Sequence, residues 1–296
     1  MMKSDDELLP TTLLSNADML ETILKQLSPK ALGLAECTCR DIRIAATSSS
    51  GVWLAVATHH IQGPLSRCPD ECSFWKQLCC EVCRQQRDDL VHRVVTSSVD
   101  RDEENGSNLL TASTCAGATT LAVAARCGCA DGVACYWSSA AIEDGDAAHE
   151  TLGLWPAPKH FTLVSSVRLQ PYRSRDQPSV EDQLVTLPIY APCAAYVRST
   201  SSQLRTPTVS VAHNDTLQTI ARFEPPLLLL PGDSLSVELR GAAQRCPTIY
   251  GTTDFYICLS HVAMRGHSFQ FGLLYAVRCA DAGLRQIARR LDKLKS

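Results

Sequence analysis

The sequence predicts an α+β chain: three or four short N-terminal helices, then an antiparallel β-sandwich of jelly-roll type, then a short C-terminal helix. Three observations predict it. From Ser15 to about Val95 the apolar residues recur every three or four positions, the helical period. Beyond the polar stretch SSVDRDEENGSN the period becomes two, with Pro and Gly clusters between the runs. In the tail DAGLRQIARRLDKLKS the helical period returns.

The helices read in order. Ser15-Asn16-Ala17-Asp18 has a capping-box pattern ahead of an apolar run. Met19, Leu20, Ile23, Leu24 and Leu27 then fall on one helical face. Ser28-Pro29 stops that helix and starts the next, with Ser28 as N-cap and Pro29 in the first turn. Ala31, Leu32, Ala35, Cys39 and Ile42 form a second stripe, and a third helix carries Trp53 and Leu54. A fourth begins near Ser73, with Phe74, Trp75, Leu78 and Val82 turned inward.

The strands follow. Phe161, Leu163, Val167 and Leu169 alternate in FTLVSSVRLQP. Leu235, Val237 and Leu239 alternate after the turn signal Pro231-Gly232-Asp233. DFYICLSHVAM is apolar on both faces, as a central strand is. Trp137 in YWSS reads as a core anchor between two sheets. The chain thus divides into a flexible N-terminus (1–15), a helical region (16–94), a sandwich (95–270) and a basic amphipathic helix (271–296). In that last helix Leu284, Ile287, Leu291 and Leu294 lie opposite Arg and Lys.

Composition narrows the function. A net charge of -3 gives no basic field for nucleic acid or an anionic membrane. The longest apolar runs, such as PPLLLLP, are far short of the roughly 18 residues that suggest a membrane span. MMKSDDELLP lacks the basic-then-apolar form of a secretory signal, which points to the cytoplasm or nucleus. There the 15 cysteines are expected to be reduced, small apolar fillers rather than a disulfide framework.

Leu20 to Trp53, read as ML..IL..L followed by AL......CTCRDIR and a Trp about ten residues later, resembles an F-box. The resemblance implies three short helices that bind a Skp1-type adaptor, which tethers the chain to a cullin-RING ubiquitin ligase. On that reading Leu20, Ile23, Leu24, Leu27, Leu32 and Trp53 form the shared surface. The stretches TSSVDRDEENGSNLL, ACYWSS and ETLGLW…FTLVSSVRLQPYRS resemble a discoidin-like, galactose-binding-type jelly roll. EPPLLLLPGDSLSVELRGAAQRCPTIYGTTDFYICLSHVAMRG resembles the closing strands of a small family of plant F-box proteins with this architecture. Together the resemblance spans about residues 16 to 266. It implies a non-catalytic adaptor whose sandwich presents an unknown target protein. The precedent places target contacts in loops at one end of the sandwich: Ser138 to Glu150, Tyr172 to Gln183 and Gly241 to Thr253.

The residues themselves add candidates and alternatives. Tyr172, Arg173 and Arg175 lie in a polar loop and are residue types enriched at binding hot spots. Trp155 with His160 has the make-up of a carbohydrate platform. It supports the alternative of a lectin-like module, binding a glycan or small ligand, with a packed helical extension. Cys68, Cys72, Cys79, Cys80 and Cys83 invite a zinc reading, but Trp75, Leu78 and Val82 already explain a buried helix there. Glu143, Asp144, Asp146, His149 and Glu150 lack EF-hand spacing and read as a solvated loop. His261 reads as a hydrogen-bonded strand residue. The sequence contains no G-x-S-x-G, H-E-x-x-H, P-loop or G-x-G-x-x-G, so no catalytic residue, metal or cofactor is expected.

Overall fold

The computed structural model describes residues 19–48, 50–110, 134–173, 188–247 and 253–271. The capping-box residues, Arg175, most of the Leu109 to Cys135 insert and the C-terminal basic helix lie outside these.

Five helical segments open the described chain: α1 over residues 19–24, α2 Pro29–Thr38, α3 Arg40–Ser48, α4 Ser50–His60 and α5 Cys72–Val82. Ser28 caps α2, its Oγ accepting from the Ala31 amide at 3.2 Å, with Pro29 at the first position. The apolar stripe expected to run from Ala31 to Ile42 is broken in two. Cys39 is extended (φ -134°, ψ 125°), so α2 stops there and α3 starts afresh at Arg40. Among the described residues no helix is long and apolar enough to cross a membrane.

Two antiparallel sheets follow. One has the order β1-β3-β8-β5-β6, from β1 (Arg93–Thr96), β3 (His149–Trp155), β5 (Pro192–Ser199), β6 (Val209–Ser210) and β8 (Leu235–Ala242). The other has the order β2-β11-β4-β7, from β2 (Trp137–Ser138), β4 (Phe161–Pro171), β7 (Gln218–Leu229) and β11 (Cys258–Phe269). A small hairpin joins β9 (Arg245–Pro247) to β10 (Thr253–Phe255). The layout is α+β with a β-sandwich, and β11 is central, its two faces apolar. It takes only the part of DFYICLSHVAM from Cys258 onward: the run breaks at Tyr256 and Ile257, and Asp254 and Phe255 belong to β10, which pairs with β9 in a separate sheet.

The sandwich core lies between the two sheets. Trp137, Leu152, Leu154, Val167, Leu169, Val237, Leu239 and Met264 are among its members. Trp137 is fully buried and donates its Nε1–H to the Ser98 carbonyl at 2.9 Å. Strand β4 does not alternate throughout. Phe161 and Leu163 belong to a second core on the opposite face, whereas Val164, Val167 and Leu169 belong to the first. The pairing of β4 shifts between Val164 and Ser166, a bulge that changes the phase of the strand.

The second core joins the helices to the sandwich. Leu24, Leu32, Trp53, Val56, Phe74, Trp75 and Leu78 pack on Phe161, Leu163, Leu228, Leu230 and Phe269. Phe74 sits edge-on to Phe161 at a centroid distance of 4.9 Å. The edge strand β7 is also closed from the helical side. The Leu228 amide donates to the Gln62 carbonyl at 2.8 Å, and the Gln62 amide donates to the Pro226 carbonyl at 2.9 Å. This occupies backbone groups that an open edge leaves for stray pairing.

Candidate functional site

The six side chains expected to form the partner surface separate by burial. Leu24, Leu32 and Trp53 are fully or almost fully buried and belong to the shared core, so they offer no surface in the folded chain. Leu20 and Leu27 are half-buried against the same core. Ile23 is exposed. The stripe that sequence spacing assigns to one face is wider than the core needs, so Met19 and Ile23, four residues apart, are left outside. Leu34 on α2 and Ile44 on α3 are outside as well. Their relative exposures are 62% (Met19), 54% (Ile23), 66% (Leu34) and 54% (Ile44). Leu34 and Ile44 were absent from the expected surface. Their signal in the sequence is that each stands off the apolar stripe of its helix.

Trp53 has a structural role. Its Nε1–H donates to Glu36 Oε1 at 3.2 Å, and Lys76 makes an ion pair with the same buried carboxylate. Arg43 Nε donates to the Glu36 carbonyl at 3.0 Å, so one residue ties together α2, α3, α4 and α5.

On the sandwich, Tyr172 is buried, not displayed. Its ring stacks on Tyr136 at 4.0 Å, in a cluster with Tyr190 and Cys258. The Tyr136 hydroxyl donates to Glu104 Oε1 at 2.8 Å. Burial, then that hydrogen bond, raises the Tyr136 pKa, and burial also raises that of Glu104. Arg173 is half-buried, its Nε and Nη2 donating to the Asp215 carboxylate at 2.9 and 3.3 Å. Of the three proposed contact residues in this loop, the two described ones therefore brace the end of the sandwich.

Trp155 is half-exposed on the outer face of β3. Its ring lies over Gly153, where a Cβ would come within 2.4 Å of the indole, and the Arg93 guanidinium sits 5.5 Å from the ring centroid. His160 Nδ1 is 2.8 Å from Ser268 Oγ, and its Nε2 is 2.8 Å from the Gln270 amide nitrogen. The amide donates to Nε2, so Nδ1 carries the proton and donates to the serine. That is the reverse of what a general base does, and burial lowers the imidazole pKa further.

The remaining clusters disperse. Glu143, Asp144 and Asp146 are exposed, while Glu150 accepts from Ser97 and Ser98, and His149 lies 2.9 Å from Glu238. Cys79 is buried and its thiol is pushed up to about 12 by desolvation, whereas Cys83 is exposed. Among the described residues no group of three or more His, Cys, Asp and Glu side chains is placed to hold a metal ion. His261 lies on β11 with its Nδ1 2.9 Å from the Leu109 carbonyl.

No family model and no curated protein matches the chain. Among solved structures it is similar to the family 32 CBM from C. perfringens NanJ in complex with galactose. That match is 10% identical, covers 61% of this chain and 99% of that one, and has a TM-score of 0.36. It is also similar to chitosan-binding module 1 from a chitosanase/glucanase of Paenibacillus sp. IK-5, at 8% identity, 60% and 98% coverage and a TM-score of 0.35. Both are carbohydrate-binding modules with a galactose-binding-like β-sandwich. At such identities and scores neither a site nor a ligand transfers to this chain.

Proposed function

We infer that the chain is a non-catalytic adaptor of a cullin-RING ubiquitin ligase acting in the cytoplasm or nucleus. Its N-terminal helices dock a Skp1-type adaptor, and its sandwich holds a target protein. One observation carries this reading. Among the described residues, the four most exposed large apolar side chains (Met19, Ile23, Leu34 and Ile44) all lie on α1 to α3. Other side chains of the helical unit are consumed by the sandwich, so these four apolar side chains are left for a partner. Ubiquitin transfer is then accelerated by proximity, with the chemistry on other subunits.

The test is co-purification of the full chain with a purified Skp1-type protein and cullin. An Ile23→Asp, Leu34→Asp double variant keeps every core residue. We expect it to retain a native far-UV spectrum and to lose at least about tenfold in affinity, as removal of two interface anchors implies. Equal binding by both proteins, or none by folded wild type, overturns the reading. In the latter case a glycan array becomes the next measurement, because Trp155 keeps part of its ring in solvent.

A further inference from the structure

A cleft of about 340 Å³ opens where the helical unit meets the outer face of the β2-β11-β4-β7 sheet. It exists for two reasons. Strand β7 leaves its ladder between Arg222, paired with Ser166, and Leu227, paired with Val164, so Phe223 to Pro226 stand away from β4. The bulge in β4 also turns both Ser165 and Ser166 toward the helices, because Val164 and Val167 on either side are in the sandwich core.

The floor is a row of three residues across three strands. Arg265 on β11 pairs with Ser166 on β4, which pairs with Arg222 on β7. Neighbouring strands are about 4.8 Å apart, so the two arginines are rooted on either side of the serine, within reach of one small ligand. Ser166 is 8% exposed, yet its hydroxyl has no hydrogen-bond partner among the described residues. Arg222 likewise makes no ion pair or hydrogen bond within them. Arg265 has only a share of Asp88, at 3.6 Å, and that carboxylate is held at 2.6 Å by Arg168. His60 on α4 completes the basic lining, and Glu224 at the lining adds one negative charge. Ser165 is already engaged, its single hydroxyl proton shared between Gln86 Oε1 and the Arg265 carbonyl.

We propose that this cleft binds a phosphate monoester. Two arginines are rooted on either side of a mostly buried serine whose hydroxyl is open to the cleft, and one tetrahedral dianion accepts from all three. Arg forks match such oxygens geometrically, and charge-assisted bonds here are the strong kind. A planar monoanionic carboxylate offers fewer oxygens and half the charge. The site is independent of the docking face on α1 to α3, so its failure leaves that reading standing.

The test is isothermal titration calorimetry on the full chain at constant ionic strength, with inorganic phosphate and O-phosphoserine as probes. Arg222→Gln removes a charge from an exposed position, and Ser166→Ala removes only a hydroxyl. Each is expected to weaken binding by about tenfold, the worth of one hydrogen bond to a charged group, while Arg205→Gln, elsewhere on the sandwich, leaves it unchanged. Tighter binding of O-phosphoserine supports the monoester, and equal or tighter binding of inorganic phosphate overturns the monoester in favour of free phosphate. No saturable heat with either probe, or equal affinity of wild type and Arg222→Gln, overturns the site.

Discussion

Trp53 shows how one side chain can be legible in kind and illegible in role. A tryptophan at the end of a helical stretch reads equally well as a partner contact or as a core residue. Burial decides for the core, and the Glu36 carboxylate that receives its N–H decides the orientation. Trp53→Ala is expected to cost about 3–5 kcal/mol through the cavity it leaves, read as a lower urea midpoint. An unchanged midpoint rejects its place at the centre of the second core. Gly266 is a second residue-scale constraint. Its φ is 154°, and a Cβ there would stand 1.8 Å from the Leu163 carbonyl oxygen. Gly266→Ala should therefore destabilise by more than about 1 kcal/mol, because the backbone itself has to move. Thermal melts of the two proteins measure it.

At the scale of elements, β4 and β11 do two jobs at once. Each lines the sandwich core with one set of residues and the helix-facing core with another. The cost appears in His267 on β11, which is 4% exposed with its Nε2 unpartnered. Burial first, then the nearby Arg84 charge, lowers its pKa from 6.5. Below pH 6.5 the unfolded chain binds a proton that the folded chain refuses, so stability is full above that pH. It declines as the pH falls toward the depressed folded value. His261 and His160 are shifted the same way and add to the slope. His267→Leu should flatten part of the loss between neutral and mildly acid pH, measured by urea unfolding at both. A slope identical to wild type shows that His267 does not contribute. The α2–α3 break belongs to this scale too: a continuous apolar stripe concealed it, because hydrophobic spacing does not register the extended backbone of Cys39.

For the whole molecule, the outer face of the four-stranded sheet is apolar where Phe161, Leu163, Leu228, Leu230 and Phe269 meet the helices. Neither part can lose the other without exposing that core to water. The helical unit and the sandwich are therefore expected to unfold in one cooperative transition, with helical and strand far-UV signals moving together. Two separated transitions would sink this coupling. The same docking sets the functional geography. It spends α4 and α5 on the sandwich, leaves the exposed apolar residues on α1 to α3, and creates the arginine-flanked cleft at the seam.

The order of helices before strands, the cap at Ser28, the core place of Trp137 and the centrality of the strand through CLSHVAM, though not its start at Cys258, were determined by the sequence alone. They rest on local rules: period, capping chemistry and the two apolar faces of a central strand. Three things only the tertiary structure decided. Which leucines of the first helices are exposed depends on how much of their stripe the sandwich covers. The bulge at Ser165 and Ser166 depends on the register of two neighbouring strands. The grouping of Arg222, Ser166 and Arg265, which are distant in the chain, depends on strand order. Each is settled by residues far apart in sequence, and no local pattern carries that information.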